Sequence, residues 1–209
     1  MISDAATLIN IIIVIGAYLS GSIPTGVVLA RRFSGIDVRQ QGSGNIGATN
    51  VGREAGWRLG LLTLFLDMLK GAVPVWVAVR WAPGHPDWVV AAAATAAVLG
   101  HLFPLYSRFR GGGKGVATAA GSFLIAAPAA FLAAVLVFVP AVLVSRRMSV
   151  GSLAAAVALP VGIRLLSPSL PLFISAGCVS LLLLVRHKDN IRRLLTGTEP
   201  ILSGRRKQP

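Results

Sequence analysis

Three short polar segments interrupt an otherwise apolar chain of 209 residues, and their residue types suit the binding of anions. They occupy residues 42–53, 111–115 and 186–190, and we call them the first, second and third polar segments. Hydrocarbon tolerates irregular backbone only where protein buries it or where it lines a watery cavity. The three segments therefore predict a site that handles phosphorylated substrates at a bilayer surface.

The second polar segment has the composition of a phosphate-binding backbone loop. Gly112, Gly113 and Gly115 let backbone amides approach an anion closely and adopt positive φ angles, and Lys114 adds a positive charge. The residues that follow are compatible with a helix, whose N-terminus would favour an anion. A nucleotide-binding P-loop is not indicated, because glycine rather than serine or threonine follows the lysine. The alternative is a flexible glycine turn whose lysine reaches to the membrane surface.

The first polar segment combines hydrogen-bond donors with a guanidinium. Its candidate groups for substrate binding are Ser43, Gly44, Asn45, Thr49, Asn50 and Arg53. The arginine can hold a phosphate through two parallel hydrogen bonds. The alternative is a polar turn that its own side chains stabilise, although the segment has more glycines than one turn needs.

The third polar segment follows the last apolar run and contains His187 and Asn190. Three positions apart on a continuing helix, these side chains are predicted to share a face. A histidine titrates near neutral pH and can donate to an acyl or phosphate oxygen. We interpret the surrounding cations as anchors of membrane topology: Arg186, Lys188, Arg192 and Arg193.

Further polar residues outside the three segments are secondary candidates. We expect Ser152 to contact substrate and Ser149 to cap a helix. His101 either lines the site or satisfies a helix end. Asp67 and Lys70 lie one helical turn apart in an apolar run, which predicts an intramembrane ion pair, with substrate contact as the alternative role of Lys70.

The composition is that of an integral membrane protein. Hydrophobic residues make up 55% of the chain and charged residues 13%, about half the share of a soluble domain. The formal net charge of +13 is concentrated at the ends of apolar runs, which indicates membrane lipids rather than nucleic acid as partners. No metal or other cofactor is expected, because acidic residues are few and Cys178 is the single cysteine.

The apolar runs predict an all-α membrane protein, a polytopic bundle of seven transmembrane helices. A span needs about 20 apolar residues, and the run over residues 116–144 is too long for one span and short for two. If this run crosses twice, turning near residues 126–128, every basic cluster falls on the cytoplasmic face. Two helices are then short, the N-terminus lies outside and the C-terminus is cytoplasmic.

With this topology all three polar segments face the cytoplasm, near the ends of different helices. We expect a single integral membrane domain over residues 1–209, in which residues 196–209 form a flexible cytoplasmic tail. The oligomeric state is not predicted.

Several motifs together resemble those of one enzyme family. They lie at residues 21–26 with 42–53, 66–71, 100–104, 112–118 and 186–191. In combination they resemble the bacterial acyl-phosphate:glycerol-3-phosphate acyltransferases, small inner-membrane enzymes that begin phospholipid synthesis. The resemblance runs from about residue 16 to about residue 200. One departure is Gly111, an extra glycine before the pair that usually precedes the lysine, so the resemblance does not assign the amides that contact phosphate.

The resemblance implies transfer of an acyl group from acyl phosphate to the 1-hydroxyl of glycerol 3-phosphate, giving lysophosphatidic acid and phosphate without a cofactor. Residues expected to orient the reactants and stabilise the oxyanion are Ser43, Asn45, His187 and Asn190. Lys114 and Arg53 are expected to hold the phosphates. As proton acceptor the resemblance favours a substrate phosphate oxygen over His187. Alternatives are a transporter or channel for a phosphorylated solute and a non-catalytic lipid-binding protein.

Overall fold

The computed structural model describes residues 4–202, and all the regular secondary structure in that range is helical. The α-helices are α1 Asp4–Gly21, α2 Thr25–Ser34, α3 Ala48–Glu54, α4 Trp57–Trp81, α5 Pro86–Leu102, α6 Val116–Ala126, α7 Pro128–Ser145, α8 Met148–Leu166, α9 Leu170–Arg186 and α10 Lys188–Leu195. A short 3-10 helix, Leu105–Ser107, follows α5. The predicted all-α class is confirmed.

Five helical segments are long and apolar enough to cross a membrane, and a sixth results if α9 and α10 count as one bent span. The break between α6 and α7 falls at Ala127, where the sequence predicts a turn in the long apolar run. The prediction of two short helices is wrong for α7, which has 18 residues, whereas α6 has 11. The break lies near the start of the run, so the lengths are unequal.

Small residues bring the helix backbones into close contact. A Cβ on Gly21 of α1 would lie 2.0 Å from the carbonyl oxygen of Ala97 in α5, and one on Gly121 of α6 would lie 1.9 Å from that of Met68 in α4. Such approach is typical of membrane bundles, where packing rather than hydrophobic burial stabilises helix pairs. Large apolar side chains are instead exposed at the outer surface, among them Ile12, Leu136, Leu143 and Val144.

The predicted intramembrane ion pair is present and ties α4 to the break between α1 and α2. Lys70 Nζ lies 2.8 Å from Asp67 Oδ1, and both side chains are buried. Lys70 also donates to the carbonyl of Ile23 at 2.9 Å, and the Thr25 hydroxyl donates to Asp67. The Asp67–Lys70 pair therefore links α4 to the segment that joins α1 to α2.

The residues after α10 fold back onto the protein and do not form the predicted flexible tail. Glu199 is 7% exposed, and Arg147 donates to its backbone carbonyl at 3.2 Å. The amide of Leu202 donates to the carbonyl of Arg146 at 2.6 Å. Residues 196–202 thus cover the turn between α7 and α8, and the rest of the predicted tail lies outside the described residues.

Candidate active site

The second polar segment is a tight turn that packs on the buried end of α5. The amide of Gly113 donates to the carbonyl of His101 at 3.1 Å. A Cβ on Gly113 would lie 2.0 Å from His101 Nε2, so only glycine fits there. Gly115 precedes α6 with a φ of 84°, which L side chains rarely adopt. The backbone carbonyl of His101, near the end of α5, thus supports this turn.

The turn leaves several amides unoccupied at the N-terminus of α6. Within residues 4–202, the amides of Gly112, Lys114 and Gly115 make no hydrogen bond. The first-turn amides of a helix also lack intrahelical partners and carry the positive end of its dipole. The predicted opening of this loop onto a helix N-terminus is confirmed, and its geometry suits an anion.

Lys114 joins the second polar segment to the third. Its Nζ donates to Asn190 Oδ1 at 2.6 Å. Burial lowers the pKa of Lys114 to about 8; the charge of Glu199 opposes this shift, whereas those of Arg193 and Arg53 add to it. An anion bound at the ammonium would favour its charged form and raise that pKa.

Asn190 is oriented by a carboxylate that the sequence analysis missed. Its Nδ2 donates to Glu199 Oε1 at 2.7 Å, and Arg193 Nε donates to Glu199 Oε2 at 2.7 Å. Burial opposes ionisation of the Glu199 carboxyl, but the polar groups of Ser149 and Asn190 and the charge of Arg193 lower its pKa below the usual value. The carboxylate fixes the Asn190 amide so that its oxygen faces Lys114.

The chain bends at His187, so the prediction of one continuing helix is wrong. The axes of α9 and α10 meet at 57°, with His187 between them. The imidazole is buried, and its Nδ1 lies 2.8 Å from the carbonyl oxygen of Leu183. Because a carbonyl only accepts hydrogen bonds, Nδ1 carries the proton and Nε2 of the neutral ring is left as an acceptor.

Arg186 contacts the second polar segment, which goes beyond its predicted role as a topology anchor. Its Nη2 donates to the carbonyl of Gly112 at 2.6 Å, and its Nε donates to the carbonyl of Gly113 at 3.1 Å. The guanidinium also lies over the ring of Phe103, 5.9 Å from the centroid. The second and third polar segments are therefore in direct contact at two places.

Asn50 organises the first polar segment instead of offering donors to a ligand. Its Nδ2 donates to the carbonyls of Val38 and Gln41, each at 3.1 Å, and its Oδ1 accepts from the Ser43 amide at 3.0 Å. The amide of Gly44 is also occupied, because it donates to the Gln41 carbonyl at 2.9 Å. Two of the predicted ligand contacts are thus committed to the shape of the turn.

The other predicted groups of the first segment remain accessible. Ser43 and Arg53 are exposed, and Thr49 and Asn45 are partly exposed. Asn45 Oδ1 accepts from the Gly47 amide at 2.8 Å, which leaves the Nδ2 of Asn45 available for a ligand.

Arg39, which precedes the first polar segment, and Arg53, which lies within it, are both near the second segment. A Cβ on Gly111 would lie 3.4 Å from Cδ of Arg39, and the charge of Arg53 is close enough to lower the pKa of Lys114. In the part of the chain that the structure describes, no hydrogen bond or ion pair links the first segment to the third. Lys114 therefore lies beside groups of both other segments.

The two serines of α8 lie within the helix, and Ser149 differs from its predicted role. The residue before the helix is Arg147, so Ser149 is not the cap. Ser152 donates to the carbonyl of Met148 at 2.9 Å, within its own helix. The buried hydroxyl of Ser149 is near enough to Glu199 to lower the pKa of that carboxyl, but it meets the geometry of a hydrogen bond with no group in residues 4–202.

Comparison with known proteins assigns the family. The family model for glycerol-3-phosphate acyltransferase matches residues 11–197. The chain belongs to the glycerol-3-phosphate acyltransferase family. A glycerol-3-phosphate acyltransferase of Syntrophotalea carbinolica is 48% identical over 188 residues, which cover 90% of this chain and 95% of that relative. One of Myxococcus xanthus is 50% identical over 190 residues, covering 90% and 96%.

Two solved structures of PlsY (YgiH), an integral membrane glycerol 3-phosphate acyltransferase, are similar to this acyltransferase in fold. The glycerol 3-phosphate form has a TM-score of 0.87 and 38% identity, and the match covers 93% of this chain and 96% of that one. The lysophosphatidic acid form has a TM-score of 0.85. The predicted multi-pass membrane acyltransferase is confirmed over the transporter alternative.

Two contacts in this glycerol-3-phosphate acyltransferase were missed from the sequence, those of Glu199 and Arg186. A signal for Glu199 was available: it is one of only 7 acidic residues and lies in a basic region. Arg186 carried no comparable signal, because a cation at the end of a span is expected for topology alone. Within residues 4–202, no group of three or more His, Cys, Asp or Glu residues is arranged to hold a metal ion.

Proposed function

We propose that the protein transfers an acyl group from acyl phosphate to the 1-hydroxyl of glycerol 3-phosphate, at the cytoplasmic face of a bacterial inner membrane. The observation that carries the proposal is the position of Lys114. It stands between the unoccupied amides at the start of α6 and the oriented oxygen of Asn190. Both proposed substrates carry phosphate, and the site is rich in groups that neutralise it.

The reaction requires two anions to be held together more than it requires a strong acid. Acyl phosphate is a mixed anhydride with a good leaving group. Lys114, Arg53 and the α6 amides oppose the repulsion between the reactants, and alignment of two bound reactants lowers the barrier. The glycerol oxygen bonds to the acyl carbon, the bond between that carbon and the bridging oxygen of the acyl phosphate breaks, and phosphate leaves with that oxygen and the electron pair. The hydroxyl proton passes to a substrate phosphate oxygen.

Side chains around Lys114 take supporting roles in this proposal. Ser43, Thr49 and the free amide nitrogen of Asn45 are accessible donors for phosphate or for the oxyanion. His187 Nε2 is an acceptor and can orient the attacking hydroxyl. Asn190 positions the Lys114 ammonium through the hydrogen bond that its side-chain oxygen accepts.

An apolar groove beside the third polar segment suits the acyl chain. It has a volume of about 910 Å³ and runs along α8 and the end of α9. Its lining includes Leu153, Val157, Leu184 and Ile191, the last two of which flank His187 in the chain. An acyl chain in this groove would place its reactive carbon toward the polar groups while its tail stays open to lipid.

The topology that we propose has seven crossings within one domain over residues 1–209, with the N-terminus outside. Its seventh member is α6, whose 11 residues span roughly 17 Å, short of a core of about 30 Å. Support comes from the basic residues, which this topology collects on the cytoplasmic side. Single cysteines at Gly84 and Arg110, introduced with Cys178→Ser, test it. An impermeant label should reach Gly84→Cys from outside; labelling of Arg110→Cys from the same side would refute it.

The function is tested with purified protein in lipid and labelled glycerol 3-phosphate. Acyl phosphate, acyl-CoA and acyl carrier protein are supplied as donors in separate reactions. We expect lysophosphatidic acid and phosphate in equal amounts with acyl phosphate alone. Product from acyl-CoA but not from acyl phosphate would overturn the proposed donor. Lys114→Ala should remove most of the activity, and Arg192→Ala, which removes an exposed cation of α10, is the matched control.

A further inference from the structure

We propose that Arg186 is a positioning residue that aims the backbone amide of Lys114 at the substrate phosphate. The proposal rests on the proposed function for the identity of that ligand. It assigns a task to a cation that sequence analysis explains by membrane topology alone.

The guanidinium grips two successive peptide groups of the second polar segment. Its Nη2 donates to the carbonyl of Gly112 at 2.6 Å, and its Nε donates to that of Gly113 at 3.1 Å. The planar fork suits two acceptors on one side, which a lysine ammonium cannot match. The ring of Phe103, 5.9 Å away, packs against the guanidinium and limits its movement.

Because a peptide group is planar, holding its carbonyl in place also fixes the direction of its amide. In a trans peptide the carbonyl and the amide of the next residue point to opposite sides. With the Gly112 carbonyl held by Arg186, the Gly113 amide must point away, and it donates to the carbonyl of His101 at 3.1 Å. That peptide group is therefore fixed at both ends.

The next peptide group, between Gly113 and Lys114, is held at its carbonyl in the same way, but its amide has no acceptor within residues 4–202. Arg186 holds the Gly113 carbonyl, so the Lys114 amide points to the opposite side. That amide makes no hydrogen bond within residues 4–202. The side chain of the same residue carries the ammonium that donates to Asn190. Among the amides of this segment that make no hydrogen bond within residues 4–202, the Lys114 amide is thus the one whose peptide group Arg186 holds in place.

The grip is needed because the glycines allow the peptide groups to rotate. Glycine adopts positive and negative φ about equally, so the Gly112–Gly113 peptide can rotate with little steric resistance. At the Gly113–Lys114 peptide the same freedom belongs to Gly113, whose ψ changes when that peptide rotates. A flipped peptide would present a carbonyl oxygen, which repels phosphate, in place of the amide. Arg186 prevents that exchange and keeps its own positive charge beside the site.

The test compares Arg186→Ala, Arg186→Lys and Arg186→Gln with Arg192→Ala, which removes an exposed cation from the same cytoplasmic region. KM is measured separately for glycerol 3-phosphate and for acyl phosphate, because either phosphate can occupy the loop. Loss of a hydrogen bond to a charged group predicts a rise in KM of roughly tenfold or more for one substrate with Arg186→Ala. Arg186→Lys should remain defective, since it restores the charge without the fork, and Arg192→Ala should match wild type.

A second measurement does not depend on the reaction. Hydrogen exchange of the peptide over residues 109–116 should quicken in Arg186→Ala and stay unchanged in Arg192→Ala, while exchange in α4 and α5 is the same in both. Wild-type KM values for both substrates in Arg186→Ala would overturn the proposal, and so would full recovery by Arg186→Lys. Unchanged exchange in the loop would also overturn it. An inactive wild-type protein would instead refute the proposed function.

Discussion

The ammonium of Lys114 predicts a specific dependence of substrate binding on pH. Burial lowers the pKa of this lysine to about 8 in the unliganded protein. Phosphate binds the charged form, so affinity is full well below that pKa and is lost as the pH rises through it. At pH 7 the ratio of charged to neutral lysine is roughly ten to one, and at pH 9 it is roughly one to ten.

The expected effect is therefore large and has a matched control. Between pH 7 and pH 9 the KM for the substrate held by Lys114 should rise by roughly an order of magnitude. The substrate is not the source, because a phosphate monoester has its second pKa near 6 and is a dianion over this range. Lys114→Arg stays charged throughout, so its KM should be flat over the same interval, whatever its absolute value.

The assay measures initial rates of lysophosphatidic acid formation at a fixed lipid composition and ionic strength. Rates are collected within the first minutes, so that hydrolysis of acyl phosphate at high pH does not distort them. An equal rise of KM in Lys114→Arg and in the wild type would refute the reasoning, because another group would then be titrating. A flat wild-type profile would show that the lysine is not buried as the structure places it.

Four further substitutions, one of them combined with a second change, have expected outcomes. Gly113→Ala should lower kcat/KM at least tenfold, because the new Cβ would lie 2.0 Å from His101 Nε2. The double variant Gly113→Ala with His101→Ala should restore part of the loss, and an absence of recovery would contradict the steric cause. Glu199→Gln keeps an acceptor for Asn190 but sets an amide against Arg193, which should cost about 1.5 kcal/mol of stability in thermal unfolding; a rise in stability would contradict it. Asn50→Ala removes three hydrogen bonds, so it should destabilise the first polar segment and raise the rate at which a protease cleaves it; an unchanged rate would contradict these contacts. Ser152→Ala removes only a hydrogen bond within α8 and should leave the rate of acyl transfer within about twofold of wild type; a larger loss would contradict this.

Much of the fold was accessible from the sequence because its causes are local or electrostatic. The distribution of basic residues alone placed a turn in the run over residues 116–144, and the structure has the break at Ala127. The Asp67–Lys70 pair followed from the spacing of one helical turn. The glycine loop before α6 was recognisable because glycines and a lysine have few other reasons to precede an apolar helix.

The missed parts of the site depend on contacts between distant positions in the chain. Asn190 faces Lys114 only because the chain bends at His187, and no residue type announces that bend. Glu199 enters the site because the segment after α10 returns to the turn between α7 and α8. Asn50 seemed a ligand contact from its type, but its two donors are consumed by nearby carbonyls that only the folded turn brings close.

The return of residues 196–202 has a consequence for biosynthesis. Glu199 follows every transmembrane helix in chain order, yet it orients a side chain in the polar pocket. A nascent polypeptide that has inserted its first helices into the bilayer therefore carries an incompletely arranged catalytic apparatus. Activity should appear abruptly when the final helix has entered the membrane and this returning stretch has docked.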